Sequence, residues 1–521
     1  MKKDDILNPE AVIFDLDGVI TQTRKAHKKA WKKLFDWFFE QEDHSEQPSM
    51  TDKDYEIYID GKPRYHGVES FLESRNIELP FGQPIEDAGT KSICALGNKK
   101  NTFFHQIIDQ EGVEVFDDAI EKLKHWRSKG LKTAIVSSSK NCKTIIEKAG
   151  IDTLFDVRVD GLISEKENLN GKPNPDIFLN AAKKLDCEPH RSVVFEDAIS
   201  GVKAGQKGYF GLVVGVSRSN QHNELLNNGA DISIDDFSKL NLYDQQLQET
   251  YFSWQGEPVF SSGSKIFAQI KTRKPAFFLD YDGTLTPIVA KPDQAIISDE
   301  MKKVLKRLAE RFTVAVVTGR DKENVEELVG LNELIYAGSH GYIITGPDGM
   351  YMEHPDSKEI IPTLDKIEKE ITEMLQEKTQ GTQIDRKKYA IGIHYRNARP
   401  EDEETVKNIV EQMISKYKGY KAGAGKKILE IKPDKDWHKG KAVDWILKAL
   451  KLNKEEVIPV FIGDDITDED GFEQIKDDGI GILVGGHGQK TVAQYSLKNV
   501  FQVKEFFRNV LEVYKDKKKP N

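Results

Sequence analysis

Two copies of one ordered set of short motifs run through this chain, and that repeat limits the possible folds more than any other sequence feature. Each copy contains an Asp-x-Asp-Gly after an apolar run, an apolar run ending in Ser or Thr, a lysine next to a glycine, and an apolar run ending in acidic residues. We call these motifs 1 to 4. The first copy consists of Asp15, Asp17, Ser137, Lys172, Glu196 and Asp197, and the second of Asp280, Asp282, Thr318, Lys439 and Asp464. Such a repeat indicates an internal duplication.

The distances between motifs predict where the two copies differ. Motifs 1 and 2 are 122 residues apart in the first copy and 38 in the second, whereas motifs 2 and 3 are 35 and 121 residues apart. Motifs 3 and 4 are 25 residues apart in both copies. Steps of 25 to 38 residues fit strand–helix–strand units of a parallel sheet. The sequence therefore predicts an α/β protein with two parallel-sheet cores, each interrupted by an inserted cap domain.

The domain boundaries follow from these insertions. A chain of 521 residues exceeds what one hydrophobic core supports. We predict a first domain at 1–245 with a cap at about 22–112, a connector at 246–272, and a second domain at 273–521 with a cap at about 340–432.

The two caps are predicted to differ in class. In the first cap, KKAWKKLFDWFFEQ places Trp31, Leu34, Phe35, Phe38 and Phe39 on one helical face, so we expect a helical cap. In the second cap, YAIGIHYR alternates like a strand and EETVKNIVEQMISKY has a helical period, so we expect an α/β cap.

The motifs carry groups that suit phosphoryl transfer. Two aspartates two positions apart on extended backbone point to the same side, and ligands bind beyond the carboxyl ends of parallel strands. Together with the motif 4 acid they form an all-oxygen site that favours Mg²⁺, one ion per half. The lysine and the hydroxyl would hold phosphoryl oxygens, which predicts transfer through an aspartyl-phosphate. Asp465 or Asp468 is alternatively a helix cap.

Composition excludes several other classes of function. The net charge of −10 argues against a broad nucleic-acid surface, and no apolar run approaches the length of about 18 residues that spans a bilayer. Three cysteines without a CxxC pair argue against a disulfide framework or a zinc cluster. The N-terminus makes a poor signal peptide. We expect a cytoplasmic enzyme whose partners are small anionic metabolites, with no nucleic-acid or membrane partner.

The four motifs resemble those of the haloacid dehalogenase superfamily of phosphotransferases over nearly the whole chain. This resemblance implies that the two parallel-sheet cores are Rossmann-like. The C-terminal half resembles trehalose-6-phosphate phosphatases in LDYDGTLTPI, VVTGR, YAGSHGY, IGIHYR, LEIKP, HKGKA and FIGDDITDED. This resemblance implies that Asp280 is the nucleophile and Asp282 the acid/base, with Thr318 and Lys439 on the phosphoryl group. The implied metal ligands are Asp280, Asp282 and Asp464.

The same resemblance implies sugar contacts by His340, Arg396 and Glu430, which are alternatively surface or cap-core polar residues. One position departs from that family, because an acidic residue often stands where this chain has Ile343.

The N-terminal half resembles β-phosphoglucomutase and related hydrolases in FDLDGVITQT, AHKKAWK, DGKPRYHGV, GNKKN, VSSSKN, GKPNPDIF and VFEDAISGV. The resemblance implies catalytic roles for Asp15, Asp17, Ser137 and Lys172. The implied metal ligands are Asp15, Asp17, Glu196 and Asp197. The implied substrate-binding residues are His27, Arg64, Lys100, Asn101, Lys140 and Asn141.

The leading hypothesis is therefore a bifunctional sugar-phosphate enzyme. Its C-terminal half would hydrolyse trehalose 6-phosphate, and its N-terminal half would act as a β-phosphoglucomutase or a related sugar phosphatase. One alternative is a phosphatase for another glycosyl phosphate. Another is that one half is an idle sugar-phosphate-binding regulatory domain, although each half retains all four motifs.

Overall fold

The computed structural model describes residues 9–515, except 43, 45, 60, 61, 63, 253, 254, 290, 291, 426 and 488. The chain divides into two compact units, one spanning Leu7–Gln248 and the other the chain from Glu249 onward. This division falls inside the segment 246–272 that the sequence analysis assigned to a connector. The ends of the predicted first and second domains, residues 1–8 and 516–521, lie outside the described residues.

The N-terminal unit contains a parallel sheet of six described strands in the order β3-β2-β1-β4-β5-β6. All residues of β1, β4 and β5 are buried, as in a sheet covered on both faces. The strands are Ala11–Asp15 (β1), Lys132–Val136 (β2), Val157–Val159 (β3), Ser192–Glu196 (β4), Leu212–Val216 (β5) and Ile232–Ile234 (β6).

Helices form both the cap and the flanks of this first sheet. The cap helices, which follow motif 1, are Arg24–Gln41 (α1), Asp52–Asp54 (α2), Arg64–Glu73 (α3) and Ile93–Glu111 (α4). The core helices are Asp117–Ser128 (α5), Cys142–Lys148 (α6), Gly161–Lys166 (α7), Asp176–Lys184 (α8), Ile199–Lys207 (α9) and His222–Asn227 (α10). The described part of the first cap is therefore helical, as predicted. A further helix, Gln245–Tyr251 (α11), crosses the division between the units.

The C-terminal unit has a larger core sheet with the order β12-β11-β10-β9-β8-β17-β18-β19-β7. The strands are Glu257–Pro258 (β7), Lys274–Leu279 (β8), Thr313–Val317 (β9), Ile335–Gly338 (β10), Ile343–Thr345 (β11), Tyr351–Glu353 (β12), Val457–Gly463 (β17), Ile480–Val484 (β18) and Tyr495–Leu497 (β19). The strands from β10 to β7 pair in parallel, but β11 and β12 join antiparallel. The second core thus has the predicted parallel sheet, which two antiparallel strands extend into a mixed sheet.

The second cap is α/β, as predicted, and has its own antiparallel sheet with the order β13-β14-β16-β15. Its strands are Gln383–Lys387 (β13), Ala390–His394 (β14), Tyr420–Gly425 (β15) and Ile428–Pro433 (β16). Its helices are Ser357–Lys378 (α15) and Glu403–Lys416 (α16). Buried apolar residues of both helices and of the sheet, including Ile367, Val410 and Ile431, form one cluster. The sequence placed the start of this cap near residue 340, but β11 and β12 extend the core sheet.

The remaining helices of the C-terminal unit flank its core sheet. They are Ile266–Thr272 (α12), Asp299–Ala309 (α13), Lys322–Val329 (α14), Lys439–Ala449 (α17), Glu469–Ile475 (α18) and Val500–Val513 (α19). Two buried clusters cover the two faces of the sheet. Among the described helices, none combines the length and apolar character needed to cross a membrane.

Candidate active sites

Each unit contains a cluster of three carboxylates around one lysine, at the carboxyl ends of the central strands. In the N-terminal unit, Lys172 Nζ donates to Asp15 Oδ1 and to Glu196 Oε1. Asp15 ends β1, Glu196 ends β4, and Asp197 follows it. Oxygens of Asp15, Glu196 and Asp197 lie within 4.8 Å of one another. The parallel sheet thus brings motifs 1, 3 and 4 together, as the sequence predicted.

The C-terminal unit repeats this cluster with one exchange of residue. Lys439 Nζ donates to Asp280 Oδ1 and Asp468 Oδ1, both at 2.6 Å. Oxygens of Asp280, Asp464 and Asp468 lie within 4.8 Å of one another. The second oxygen of Asp468 accepts from the backbone N–H groups of Asp464 (3.1 Å) and Asp465 (3.0 Å). Asp468 therefore plays the part that Glu196 plays in the first unit.

The electrostatics of both clusters fit a divalent cation. If all three carboxylates were ionised beside the charged lysine, each cluster would carry two net negative charges. Burial, and next the charges of Asp280 and Asp468, raise the pKa of Asp464 to about 9. Burial, and next the charges of Glu196 and Asp15, raise the pKa of Asp197 well above its usual range. An all-oxygen set of this charge suits Mg²⁺.

The glycine of motif 1 makes room for the motif 4 carboxylate. Gly18 and Gly283 have φ of +83° and +85°, where a side chain is strained. A Cβ on Gly18 would overlap Asp197 Oδ2, and a Cβ on Gly283 would overlap Asp464 Oδ2. The Asp-x-Asp-Gly sequence thus combines the turn after the strand with the close approach of the other carboxylate.

The second aspartate of motif 1 lies outside the three-carboxylate cluster in both units. Asp17 Oδ1 accepts from the hydroxyl of Thr23, and burial, followed by the charge of Asp15, raises its pKa to about 6. Asp282 instead accepts from Arg320, whose Nε and Nη2 each lie 2.6 Å from one of its oxygens. Among the described residues, the carboxylates of Asp17 and Asp282, which the sequence predicted as metal ligands, are thus not part of the two clusters.

Motif 2 supplies a buried hydroxyl to each site. Ser137 and Thr318 follow β2 and β9 and are 3% and 2% exposed. The N–H groups of Ser139 and Arg320 donate to their Oγ atoms at 3.1 and 3.2 Å, so the same turn occurs twice.

The predicted substrate residues of the N-terminal unit form two hydrogen-bonded groups, and Lys140 belongs to neither. Asn101 Oδ1 accepts from Arg64 Nη2 (3.1 Å) and Asn141 Nδ2 (2.7 Å), which joins cap to core. Lys100 Nζ lies 2.6 Å from His27 Nδ1. Burial, and next the charge of Arg64, lower the pKa of Lys100 to about 7. Lys140 is exposed and pairs with Glu165 at 2.7 Å, so the structure does not bring it to this group.

A cavity of about 410 Å³ adjoins Lys439 in the C-terminal unit, a size typical of small-molecule sites. The lining residues from the core include Gly319, His340 and Lys439, and those from the cap include Lys387, Lys421 and Lys432. Burial is the main reason that the pKa of His340 falls to about 3, so its imidazole is neutral at physiological pH.

Glu430 and Arg396, the other two predicted sugar contacts, are placed differently. Lys387 Nζ donates to Glu430 Oε1 at 2.8 Å, beside the cavity. Burial alone would raise the pKa of Glu430, but Lys387 and His340 lower it below the usual value. Arg396 is exposed and lies in the turn after β14, whose opposite end, Ala390, lines the cavity. The structure does not bring Arg396 to the cavity.

Sequence reasoning missed two residues that the structure places at these sites and left a third open. Asp468 was either an acid of motif 4 or a helix cap; it takes part in the capping of the turn at Asp465 and also binds Lys439. Arg320 lies within VVTGR, and Lys387 lies two residues before the strand-like run YAIGIHYR. The positions of Arg320 and Lys387 in the sequence did not indicate a role at the site, because the residues that they bind are distant in sequence.

Comparison with known proteins identifies both units. The family model described as haloacid dehalogenase-like hydrolase matches residues 9–208, and the trehalose-phosphatase model matches residues 278–500. A β-phosphoglucomutase of Mycobacterium bovis is 41% identical over 237 residues, which cover 44% of this chain and 90% of that protein. The chain belongs to the haloacid dehalogenase-like hydrolases.

The C-terminal half of the chain also has curated relatives. Trehalose 6-phosphate phosphatase RA3 of Zea mays is 37% identical over 260 residues, which cover 47% of this chain and 72% of that protein. A Mycobacterium tuberculosis protein named as an uncharacterized glycosyl hydrolase is 31% identical over 518 residues. That alignment covers 95% of this chain but 37% of the relative, so the chain spans about a third of that protein's length.

Proposed function

We propose that this chain is a bifunctional sugar-phosphate phosphotransferase. Its C-terminal unit hydrolyses trehalose 6-phosphate to trehalose and phosphate, and its N-terminal unit transfers a phosphoryl group in the manner of a β-phosphoglucomutase. The observation that carries the proposal is the duplicated cluster, in which a buried lysine bridges the first aspartate of motif 1 and a second buried carboxylate.

The C-terminal unit has a group for each step of phosphate ester hydrolysis. The Asp280 carboxylate attacks phosphorus while the sugar oxygen leaves with a proton from Asp282. Water then attacks the aspartyl-phosphate, and Asp282 takes the water proton. Lys439 and the Thr318 hydroxyl donate to the phosphoryl oxygens, which stabilises their charge in the transition state.

Mg²⁺ suits this site and would be held by Asp280 and Asp464. One oxygen of Asp280 is bound to Lys439, and both oxygens of Asp468 are engaged by Lys439 and backbone N–H groups. When bound, the ion supplies the positive charge that lets an anionic phosphoryl group approach a carboxylate. By the same reasoning Asp15 and Asp197 would hold the ion of the N-terminal unit.

The sugar part of the substrate is assigned to the cavity beside Lys439. The cavity is lined by residues of the cap, including Lys387 and Lys432, so the cap would recognise the sugar while the core performs the chemistry. The names of the curated relatives of this half support trehalose 6-phosphate as the substrate.

For the N-terminal unit, the connection between cap and core supports a mutase over a simple hydrolase. Asn101 on the cap binds both Arg64 and Asn141, and a cap held closed excludes water from the phosphoryl group. The relative from Mycobacterium bovis supports β-glucose 1-phosphate as the substrate.

Phosphate release from trehalose 6-phosphate tests the first activity. We expect Mg²⁺-dependent release by the unmodified chain and its loss in Asp280→Asn. Glucose 6-phosphate serves as the control substrate. Release from glucose 6-phosphate but not from trehalose 6-phosphate would exclude the disaccharide and leave the alternative of another glycosyl phosphate.

Phosphorus NMR on β-glucose 1-phosphate tests the second activity. A mutase produces glucose 6-phosphate, whereas a phosphatase produces inorganic phosphate. We expect glucose 6-phosphate, and its loss in Asp15→Asn. Binding of the sugar phosphate without either product would instead favour an idle regulatory domain.

A further inference from the structure

Arg320 makes a two-point contact with the acid/base aspartate that the four motifs do not account for. Its Nε and Nη2 donate to separate oxygens of Asp282, each at 2.6 Å. A planar guanidinium in this geometry fixes both the position and the plane of the carboxylate.

Arg320 is itself held in place by its surroundings. Its guanidinium carbon lies 5.2 Å from the centre of the Tyr281 ring. Nη1 donates to Asn324 Oδ1 at 3.0 Å. Tyr281 is buried, and its hydroxyl donates to the Ala295 carbonyl at 2.6 Å. The guanidinium that contacts Asp282 is therefore itself held in one position.

The same residue also contacts the phosphate-binding hydroxyl. The backbone N–H of Arg320 donates to Thr318 Oγ1 at 3.2 Å, so one residue orients Thr318 through its backbone and Asp282 through its side chain. In the N-terminal unit the matching position is Ser139, whose N–H makes the same bond to Ser137. Ser139 has no guanidinium, and Asp17 accepts instead from the Thr23 hydroxyl.

We propose that Arg320 is a positioning residue that holds Asp282 in its working orientation. This inference rests on the proposed hydrolysis. A carboxylate has about four lone-pair sites, and the two bonds from Arg320 occupy two of them. The others remain for the proton of the attacking water. In that step a water O–H bond breaks and its proton goes to Asp282, while the water oxygen bonds to phosphorus and the bond from phosphorus to Asp280 breaks.

A double-mutant cycle on p-nitrophenyl phosphate tests this role, because that substrate needs no sugar recognition. The full chain carries Asp15→Asn in every variant, so that the first unit is silent. We expect Arg320→Ala to lower kcat about 10- to 100-fold, because it removes part of the rate enhancement that general acid–base catalysis provides. KM should change less than about 2-fold. Asp282→Asn combined with Arg320→Ala should be no slower than Asp282→Asn alone, because Arg320 acts through Asp282.

Rescue of kcat by added guanidinium ion is a second test, because it is not expected if Arg320 only stabilises the fold. At concentrations far below those that unfold proteins, it should restore part of the kcat of Arg320→Ala and have no effect on Asp282→Asn. Arg508→Ala, which removes a half-exposed arginine of the same unit, should leave kcat unchanged.

Three results would overturn the proposal: an unchanged kcat in Arg320→Ala, losses that add in the double variant, or the absence of rescue by guanidinium. If these variants behave as expected on p-nitrophenyl phosphate but trehalose 6-phosphate is not hydrolysed, the role of Arg320 stands and the proposed substrate fails.

Discussion

The buried lysines are the residues on which both proposed sites depend. Burial opposes the charge of Lys439, but Asp280 and Asp468 raise its pKa above the usual lysine value. In Asp468→Asn the side-chain NH₂ group would face either the Lys439 ammonium or the backbone N–H groups of Asp464 and Asp465, and all of these are donors. Removing one partner of a buried ion pair costs about 3–5 kcal/mol.

We therefore expect Asp468→Asn to lower both the melting temperature of the full chain, measured by calorimetry, and phosphate release, by at least about 10-fold. The matched control is Asp465→Asn. Asp465 caps the short turn that begins at Ile466, and asparagine caps equally well. Equal effects of the two substitutions would contradict the assignment of Asp468 to the site.

His340 gives the C-terminal unit a predicted dependence of stability on pH. Its folded pKa is about 3, mainly through burial, and the usual value is 6.5. Between these values the unfolded state binds a proton that the folded state does not, so stability rises with pH across that window. The slope from this residue is up to about 1.4 kcal/mol per pH unit. His340→Gln should flatten the decline in urea stability below about pH 6, and an unchanged slope would contradict the shift.

At the scale of elements, the turn after β8 joins the strand to the proposed metal site. Gly283→Ala and Gly349→Ala both place a side chain at a positive φ, +85° and +76°, which costs about 1 kcal/mol in each. At Gly283 the new Cβ overlaps Asp464 Oδ2, whereas nothing lies within 4 Å of it at Gly349. Gly283→Ala alone should raise the Mg²⁺ concentration for half-maximal activity by about 10-fold or more. Similar Mg²⁺ dependence in both variants would argue against Asp464 as a ligand.

The sequence predicted the core elements well because motifs 1, 2 and 4 each lie at the end of a buried strand. Asp15 and Asp280 ended apolar runs, and parallel pairing then determined where those strands converge. It did not predict β11 and β12, because three-residue strands such as Ile343–Thr345 leave too short an alternation to detect. The sequence also did not predict which second carboxylate binds each lysine. Lys172 binds Glu196 at the end of β4, whereas Lys439 binds Asp468 in the turn beyond β17.

Contacts between distant residues explain the remaining differences in the sites. The pairing of Arg320 with Asp282 spans 38 residues, and that of Lys387 with Glu430 spans 43. Local spacing carries no information about such pairs. Lys140 and Arg396 show the converse, because each stands in a stretch that resembles a family motif, yet the structure places the first in a surface ion pair and the second at the far end of β14.

At the scale of the whole molecule, two negatively charged clusters predict that divalent ions stabilise both units. A ligand that binds only the folded state raises its stability by mass action. Mg²⁺ added to chelator-treated protein should raise the melting temperature of the full chain. Asp464→Asn should remove the part of the increase that comes from the C-terminal unit, and Asp197→Asn the part from the N-terminal unit. A melting temperature independent of Mg²⁺ in the unmodified chain would contradict both sites.

The proposed function places two separate aspartyl-phosphate sites with different substrates on one chain. The most direct test assays Asp15→Asn and Asp280→Asn in parallel on trehalose 6-phosphate and β-glucose 1-phosphate. We expect Asp280→Asn to lose only phosphate release from trehalose 6-phosphate, and Asp15→Asn to lose only conversion of β-glucose 1-phosphate. Loss of both activities in either variant, or of neither, would contradict the proposed function.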